Sequence, residues 1–275
     1  MRLTHAHTTA RRVQRFLLAA LFVSSAPRPA AAQISVDEAE IALEPGRREA
    51  ASFSVANESG ETIQATVYPG DWDRDAEGNN RFLAAGTLAN SCGARLRVFP
   101  LTLRLPPGTS QTVRIGLLPA DTLRAACWSI VFVESGRPTS NPGRSISYVT
   151  RLGVKVYVVP PTASADGEVA DLTVQPRTRP AGTKAPADSA TRDLVATFRN
   201  TGGRPLHTRG SVEFRRLDNS VAAKVDVDDF PTLPGAERRL VVPVPPLPPG
   251  QYVVLALLDY GGAEVAAGQI ELEEP

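Results

Sequence analysis

Residues 99–134, FPLTLRLPPGTSQTVRIGLLPADTLRAACWSIVFVE, decide the fold class of this chain of 275 residues. Apolar residues alternate in two runs, Leu101–Leu105 and Val113–Leu117, on either side of the turn Pro106–Gly108, and a third apolar run spans Cys127–Val133. Alternation is the pattern of a half-buried β-strand, and Pro-Gly marks a turn. The stretch therefore predicts three strands in an antiparallel meander and an all-β protein.

The N-terminal residues 1–32 have the composition of a secretory signal peptide. Three arginines precede the apolar run FLLAALFV (16–23), and a stretch of small residues ends at Ala32, before Gln33. The apolar run is far shorter than the roughly 20 residues that span a bilayer. We predict cleavage between Ala32 and Gln33, and a soluble mature chain outside the cytoplasm with no membrane span. The alternative is a disordered basic tail.

Removal of this segment changes the charge and the histidine content of the protein. Five arginines and no acidic residue are lost, so the formal net charge changes from +1 to −4. A mildly acidic exported protein is not expected to bind nucleic acid, whose phosphates require a basic surface. His207 is the one remaining histidine, which argues against catalytic triads and multi-histidine metal sites. We expect no enzyme activity, no catalytic residue, no metal and no cofactor.

The two cysteines, Cys92 and Cys127, are expected to form one disulfide in an exported chain. On the chain-entropy model, closing a loop of about 36 residues stabilises the fold by roughly 3.5–4 kcal/mol. The alternative is a reactive thiol pair. No basic residue stands directly beside Cys127 to lower its pKa, so a structural disulfide is favoured.

The length and the spacing of turns predict two domains. Segments of β-type alternation recur along the chain, about seven in each half, which is the number of strands in an immunoglobulin-like sandwich. We predict two tandem immunoglobulin-like β-sandwiches after the signal peptide, at residues 33–160 and 161–275. The first carries an insertion at 71–93, and the second, an immunoglobulin-like or fibronectin-like sandwich, contains a Pro-rich stretch at 176–191 that is interpreted as a mobile loop or linker.

Two short patterns occur once in each half and suggest related sandwiches. A strand followed by a turn with Asn and Gly ends at Asn57–Gly60 and again at Asn200–Gly203. A Pro-Gly turn before an apolar strand stands at Pro107-Gly108 and again at Pro234-Gly235. In the second half, the sequence PPGQY before an apolar strand predicts a tyrosine corner at Tyr252, which gives that residue a structural role.

Residues 34–160 resemble the N-terminal domain of the PapD-like periplasmic pilus chaperones. The motifs that carry the resemblance are an opening strand with a Pro-Gly turn, an N-x-x-G turn, an aromatic strand, a central P-x-x-x-x-L-x-P-G-x-x-x-x-V-R pattern and a long last strand ending in Pro. They span residues 34–46, 57–60, 67–72, 100–114 and 145–160. The resemblance implies a chaperone that binds secreted pilin-like subunits and works with an outer-membrane usher in pilus assembly.

In that family the last strand of the first domain completes an unfinished sandwich in the subunit, by strand addition. Residues 145–159 have the length for this role, and six of their apolar side chains share one parity: Ile146, Tyr148, Leu152, Val154, Val156 and Val158. The predicted subunit-binding residues are Ile146, Tyr148, Leu152, Val154 and Val156. The alternative is an ordinary strand whose apolar face packs in its own core.

The family's basic clamp, which holds the terminal carboxylate of the subunit, is absent in its usual form. Its two positions fall on Glu40 and Gly153 of this chain. Arg151 and Lys155 flank Gly153 on the same face and are candidate carboxylate contacts, although charges on an exposed strand often only keep it soluble.

Two acidic clusters also require interpretation. Residues 71–79, DWDRDAEGN, place carboxylates at alternate positions as in a calcium loop, but the Gly comes late and the bidentate Glu is missing. A polar hairpin tip is favoured there. Asp226, Asp228 and Asp229 alternate with valines, as on the solvent face of a strand.

The sequence thus supports a periplasmic chaperone for surface-fibre subunits that acts by strand donation. The alternative is a secreted or cell-surface adhesive module of tandem sandwiches, in which the strand at 145–159 is paired internally on both sides.

Overall fold

A computed structural model describes residues 33–119, 123–141, 144–177 and 191–275, with only the backbone described for 137–141 and 144–148. The described residues form seventeen strands and one short 3₁₀-helix, Gly93–Arg95. The strands are β1 Ile34–Val36, β2 Glu40–Leu43, β3 Ala50–Asn57, β4 Ile63–Arg74, β5 Asn80–Leu83, β6 Leu96–Phe99, β7 Thr102–Leu105, β8 Ser110–Leu117, β9 Cys127–Asn141, β10 Arg144–Val158, β11 Gly167–Pro176, β12 Arg192–Asn200, β13 Leu206–Arg216, β14 Val221–Thr232, β15 Glu237–Pro243, β16 Gly250–Asp259 and β17 Ala266–Glu274. The predicted all-β class is confirmed.

Strands β1–β10 form the first sandwich. One sheet has the order β1-β3-β8-β6, and the other has the order β2-β10-β9-β4-β5, with β7 also paired to β4. Phe53, Leu103 and Ile115 are among the side chains from both sheets that meet in one buried core. Strand β10 pairs with β2 in parallel and with β9 in antiparallel register.

Strands β11–β17 form the second sandwich, from the sheets β11-β12-β15 and β14-β13-β16-β17. Phe214, Val254 and Leu194 lie in its core. Strand β10 ends at Val158 and β11 begins at Gly167, so the chain passes from one pair of sheets to the other between them. The predicted tandem immunoglobulin-like fold describes this architecture.

The predicted meander is wrong in its pairing. Strand β7 pairs with β4, whereas β8 pairs with β3 and β6 in the opposite sheet. The turn at Pro106–Gly108 therefore carries the chain across the core instead of forming a hairpin. Apolar and polar residues alternate in both strands because each strand packs one face on the same core, from opposite sides. The same alternation would appear if the two strands formed a hairpin in one sheet, so it cannot distinguish the two arrangements.

The repeated Asn and Pro-Gly patterns build the same corner in both sandwiches. Asn57 Nδ2 donates to the carbonyl oxygens of Glu61 (2.7 Å) and Leu105 (2.8 Å), and its Oδ1 accepts from Ser59 N (2.9 Å). Asn200 Nδ2 donates in the same way to Arg204 O (2.9 Å) and Thr232 O (3.1 Å), and its Oδ1 accepts from Gly202 N (2.9 Å). The main-chain carbonyl of each asparagine also accepts from the glycine N–H of the matching Pro-Gly turn: Gly108 N donates to Asn57 O (3.1 Å), and Gly235 N donates to Asn200 O (3.0 Å).

Those glycines have positive φ values, +67° at Gly108 and +73° at Gly235, a region that glycine enters at no steric cost. The two asparagines are almost fully buried. The predicted relation between the two sandwiches thus rests on one shared hydrogen-bonded corner.

Two further structural predictions are confirmed. Cys92 and Cys127 form a disulfide with a Cα–Cα distance of 5.3 Å, and both lie in the first core. The Tyr252 hydroxyl donates to Pro248 O at 2.7 Å, which is the bond of a tyrosine corner.

Two predicted segments fall on residues that the structure does not describe. The signal peptide at 1–32, with Ala32 of its cleavage site, lies outside the described residues and stays a prediction. Most of the Pro-rich stretch, 178–190, is also outside them. Its ends join β11 and β12, which pair directly up to Pro176 and Arg192, so the stretch connects neighbouring strands of one sheet rather than the two sandwiches.

The asparagine corners predict matched stability losses. Asn57→Ala and Asn200→Ala each remove two donors to backbone carbonyls, at least one of them buried, and should lower the free energy of unfolding by about 2–3 kcal/mol. Asn90→Ala, at an exposed position, serves as the control. Urea denaturation of the three variants measures the difference. Equal stability of all three would show that the corners do not stabilise the sandwiches.

Candidate strand-donating edge

Strands β9 and β10 form a long ribbon that extends beyond the rest of their sheet. They pair residue by residue from Arg144 opposite Asn141 to Val158 opposite Cys127, without a register shift. Strand β4 covers β9 only over Ile130–Glu134, and β2 covers β10 only over Lys155–Val158. Within the described parts of the chain, no strand pairs with Arg144–Val154 on the side away from β9.

Along the open edge of β10, the N–H group of every second residue points away from β9. Lys155 N donates to Ala39 O (2.9 Å), so the N–H of Lys155 points away from β9. Alternate residues of a regular strand direct their N–H groups to the same side. Gly153, Arg151 and Val149 therefore direct theirs to the open edge. An edge of this kind can form a ladder with an added strand.

Most of the described apolar side chains of β10 serve the protein's own core. Val154 and Val156 are fully buried in the first sandwich, and Leu152 packs against the same core. The backbones of Ile146 and Tyr148 lie in the ribbon, and their side chains are outside the described set. The structure therefore places the five predicted subunit-binding residues on one strand but leaves Val154 and Val156 without an exposed surface.

The opposite face of this sheet carries large aromatic side chains instead of the usual polar ones. Trp72, Trp128, Phe132 and Tyr157 form a second buried cluster there with Ile130. The two tryptophans are linked through the main chain: Trp128 Nε1 donates to Trp72 O (2.9 Å), and Trp72 Nε1 donates to Ser129 O (3.2 Å). Leu233 of the second sandwich packs into the same cluster, so the aromatic face forms part of the junction between the sandwiches.

This packing gives a steric reason for the glycine at position 153. A Cβ atom built on Gly153 would lie 2.5 Å from Ile130 Cδ1, and one built on Gly70 would lie 2.6 Å from Phe132 Cε2. Real Cβ atoms do not approach other carbon atoms so closely. A basic side chain at position 153 would have to displace the buried Ile130.

The two candidate carboxylate contacts, Arg151 and Lys155, are already paired within the chain. Lys155 Nζ lies 2.8 Å from Glu40 Oε1 and 4.8 Å from the Trp72 ring centroid. Arg151 Nε lies 3.6 Å from Glu134 Oε2, and its guanidinium lies 5.2 Å from the Phe132 centroid. A client carboxylate would therefore have to compete with Glu40 or Glu134 for either cation.

A cleft of about 260 Å³ adjoins the end of β10. Its lining includes Glu40 and Tyr157 from the first sandwich and Pro205 and Leu233 from the second. Burial, and then the neighbouring Glu40 carboxylate, raise the pKa of Tyr157. This phenol therefore stays neutral and does not add a negative charge to the cleft.

The alternation rule missed the aromatic face, although a signal for it stands in the sequence. In CWSIVFVE (127–134) both parities are apolar, as in a strand that is buried on both faces. The Glu40–Lys155 pair had no such signal, because it depends on the register of two strands that lie far apart in the sequence.

Comparison with known proteins identifies the fold but not a sequence family. No family model matches the sequence, and no curated protein matches it. A chain of the chaperone–tip adhesin complex of CFA/I fimbriae biogenesis is similar in structure, with a TM-score of 0.51 and 14% identity over 87% of this chain and 98% of that one.

The class 5 fimbriae chaperone CfaA is also similar, with a TM-score of 0.49 and 15% identity over 88% of this chain and 99% of that one. The similarity to the chain of the CFA/I complex confirms, for the fold, the resemblance drawn from the sequence.

Because Ile130 lies so close to Gly153, even the substitution of Gly153 by alanine is expected to lower the stability of the protein. Gly153→Ala should lower the free energy of unfolding by about 1–2 kcal/mol through overpacking. Gly116→Ala is the control, because its Cβ would meet nothing within 4 Å, and that substitution should be neutral or stabilising.

Adding Ile130→Val to Gly153→Ala should cost less than the sum of the two single changes, since Val lacks the Cδ1 atom. Urea denaturation of the single and double variants measures this coupling. Strict additivity would contradict the steric explanation of Gly153.

Proposed function

We propose that this chain is a periplasmic chaperone that binds secreted pilin-like or surface-fibre subunits by donating the open edge of β10. The observation that supports this proposal most directly is the unpaired edge at Arg144–Val154. An edge strand of this length offers main-chain hydrogen bonds to a partner that lacks a strand. The rival adhesive module requires β10 to be paired on both sides, and within the described parts of the chain only Lys155–Val158 have that arrangement.

The state of the side chains suggests how the client is held. Val154 and Val156 are used in the protein's own core, and Arg151 and Lys155 are neutralised by Glu134 and Glu40. We infer that affinity comes from the backbone of the ribbon, and that the client is not anchored by a terminal carboxylate in a basic clamp.

A periplasmic location agrees with the predicted signal peptide and with the disulfide, because disulfides persist in oxidising compartments. Among the described residues, no helix has the length and apolarity needed to cross a bilayer. The usher expected from the family resemblance belongs to this proposal as a second partner.

A proline at the open edge tests strand donation directly. Arg151→Pro removes one outward-facing N–H, which is not part of the β9 ladder, so the fold should tolerate it as edge strands tolerate proline. Arg151→Ala removes the same side chain and keeps the N–H, and it is the matched control. Each variant is co-expressed with a secreted subunit encoded beside this chain that is insoluble when produced alone.

We expect the wild type and Arg151→Ala to yield a soluble complex. Arg151→Pro should reduce the yield of that complex about ten-fold, because the proline removes one backbone hydrogen bond to the client and its ring sterically blocks the ladder. Circular dichroism confirms that the variants are folded. A wild-type yield from folded Arg151→Pro would overturn donation by this edge.

A further inference from the structure

The acidic stretch that resembles a calcium loop forms the tip of the β4–β5 hairpin, residues 74–80, which we call the hairpin tip. Asp75 builds its turn: Asp75 Oδ1 accepts from Asn79 N (2.7 Å), and Asp75 O accepts from Gly78 N (3.0 Å). Gly78 has a φ of +93°, which favours glycine. The bonds from Asn79 lower the pKa of Asp75.

The other carboxylates of the stretch point to different partners. Asp73 pairs with Arg81 across the hairpin (2.7 Å). Asp71 is fully buried and accepts from Leu88 N (2.9 Å) and from the hydroxyl of Ser91. The carboxylates therefore shape the hairpin and its base separately, rather than converging on one ion.

The hairpin tip contacts the second sandwich through main-chain and arginine hydrogen bonds. Ala76 O accepts from Arg239 N (2.8 Å) and from Arg238 Nη1 (3.1 Å) on β15. Strand β15 is an edge strand that pairs only with β12. The tip thus makes one rung of strand-like hydrogen bonding to an edge that is otherwise open in the described structure.

A second arginine crosses the junction in the opposite direction. Arg74 Nη1 donates to Pro231 O of the second sandwich (3.3 Å), while its Nε donates to Asn80 within the hairpin (3.1 Å). Burial, and then the Arg74 charge, lower the pKa of Arg238. Bringing two guanidinium groups together is unfavourable by itself, and the carbonyl oxygens of Ala76 and Pro231 offset this cost.

The base of the hairpin is held firmly in the first sandwich. The chain returns from β5 alongside β9, where Cys92 N donates to Trp128 O (3.0 Å) and Trp128 N donates to Asn90 O (3.2 Å). The disulfide from Cys92 to Cys127 links this segment covalently to the start of β9. A hairpin with a fixed base and a bonded tip can transmit a restraint from one sandwich to the other.

We propose that the hairpin tip is a strut that sets the orientation of the second sandwich relative to the first. Other contacts also cross the junction: Ala126 N donates to Gly203 O (2.6 Å), and Leu233 packs in the aromatic cluster with Ala236 against it. The tip adds a contact from a separate element. Under the proposed function, on which this step rests, the strut keeps the second sandwich in one position relative to β10 while the open edge of β10 binds a client.

Double electron–electron resonance, which measures the distance between two spin labels, tests the strut without any client. Spin labels on Thr112→Cys and Asp226→Cys, both exposed, report the distance between the sandwiches, and the native cysteines are closed in the disulfide. The double change Arg74→Met/Arg238→Met removes two cross-junction donors. It should widen the distance distribution about two-fold, since domains without a firm interface move relative to each other.

Arg81→Met is the matched control, because Arg81 lies on the same hairpin and its ion pair is with Asp73 across the hairpin; it should leave the distribution unchanged. Arg239→Pro, which removes the N–H that reaches Ala76, is a second variant and should also widen it. A distribution as narrow as that of the wild type in both folded junction variants would overturn the strut.

A client-binding measurement separates the strut from the proposed function. If both proposals hold, Arg74→Met/Arg238→Met should bind the co-expressed subunit about ten-fold more weakly than Arg81→Met, because preorganisation is lost. Equal binding by the two, with a widened distribution, would overturn the strut's role in client binding. Failure of the wild type itself to bind would count against the proposed function, while the spin-label result would still decide the strut.

Discussion

The burial of β9 on both faces is the constraint on which the rest of the structure depends. On one face Val131 and Val133 lie in the core of the first sandwich. On the other, Trp128, Ile130 and Phe132 lie in the aromatic cluster at the junction. A strand that is buried on both faces belongs in the interior of its sheet, and β9 lies between β4 and β10. The outermost strands of the sheet lie farther from β9. The first core, the junction and the exposed edge of β10 all follow from that position.

This arrangement also explains why position 153 carries no side chain. The aromatic face leaves no space for a side chain at Gly153, since Ile130 occupies it. Lys155 lies over Trp72 and pairs with Glu40, so its charge is balanced inside the protein. Among the described side chains of β10, Val154, Val156 and Lys155 are thus engaged within the protein. The chemistry of the edge is therefore set by packing on the face behind it.

Local rules predicted the features that local groups create. The turns at Asn57 and Asn200 and the two Pro-Gly turns were recognisable as repeated patterns, whereas the hydrogen bonds by which each buried amide joins them are seen in the structure. Tyr252 and the two cysteines were recognisable for similar reasons. The pairing of β7 and β8 was not, because alternating residues show that a strand has one buried face but not which sheet it belongs to.

The all-β class, the tandem sandwiches, the repeated turn patterns and the disulfide could be predicted from the sequence, since each depends on residues whose spacing and side-chain chemistry are visible in the chain. The folded structure was needed to see that Glu40 meets Lys155, that Ala76 reaches Arg239, and that no described strand pairs with the outer edge of Arg144–Val154. These contacts join segments far apart in the sequence. Their register is set by how two faces of β9 are packed at once, and no local pattern contains that information.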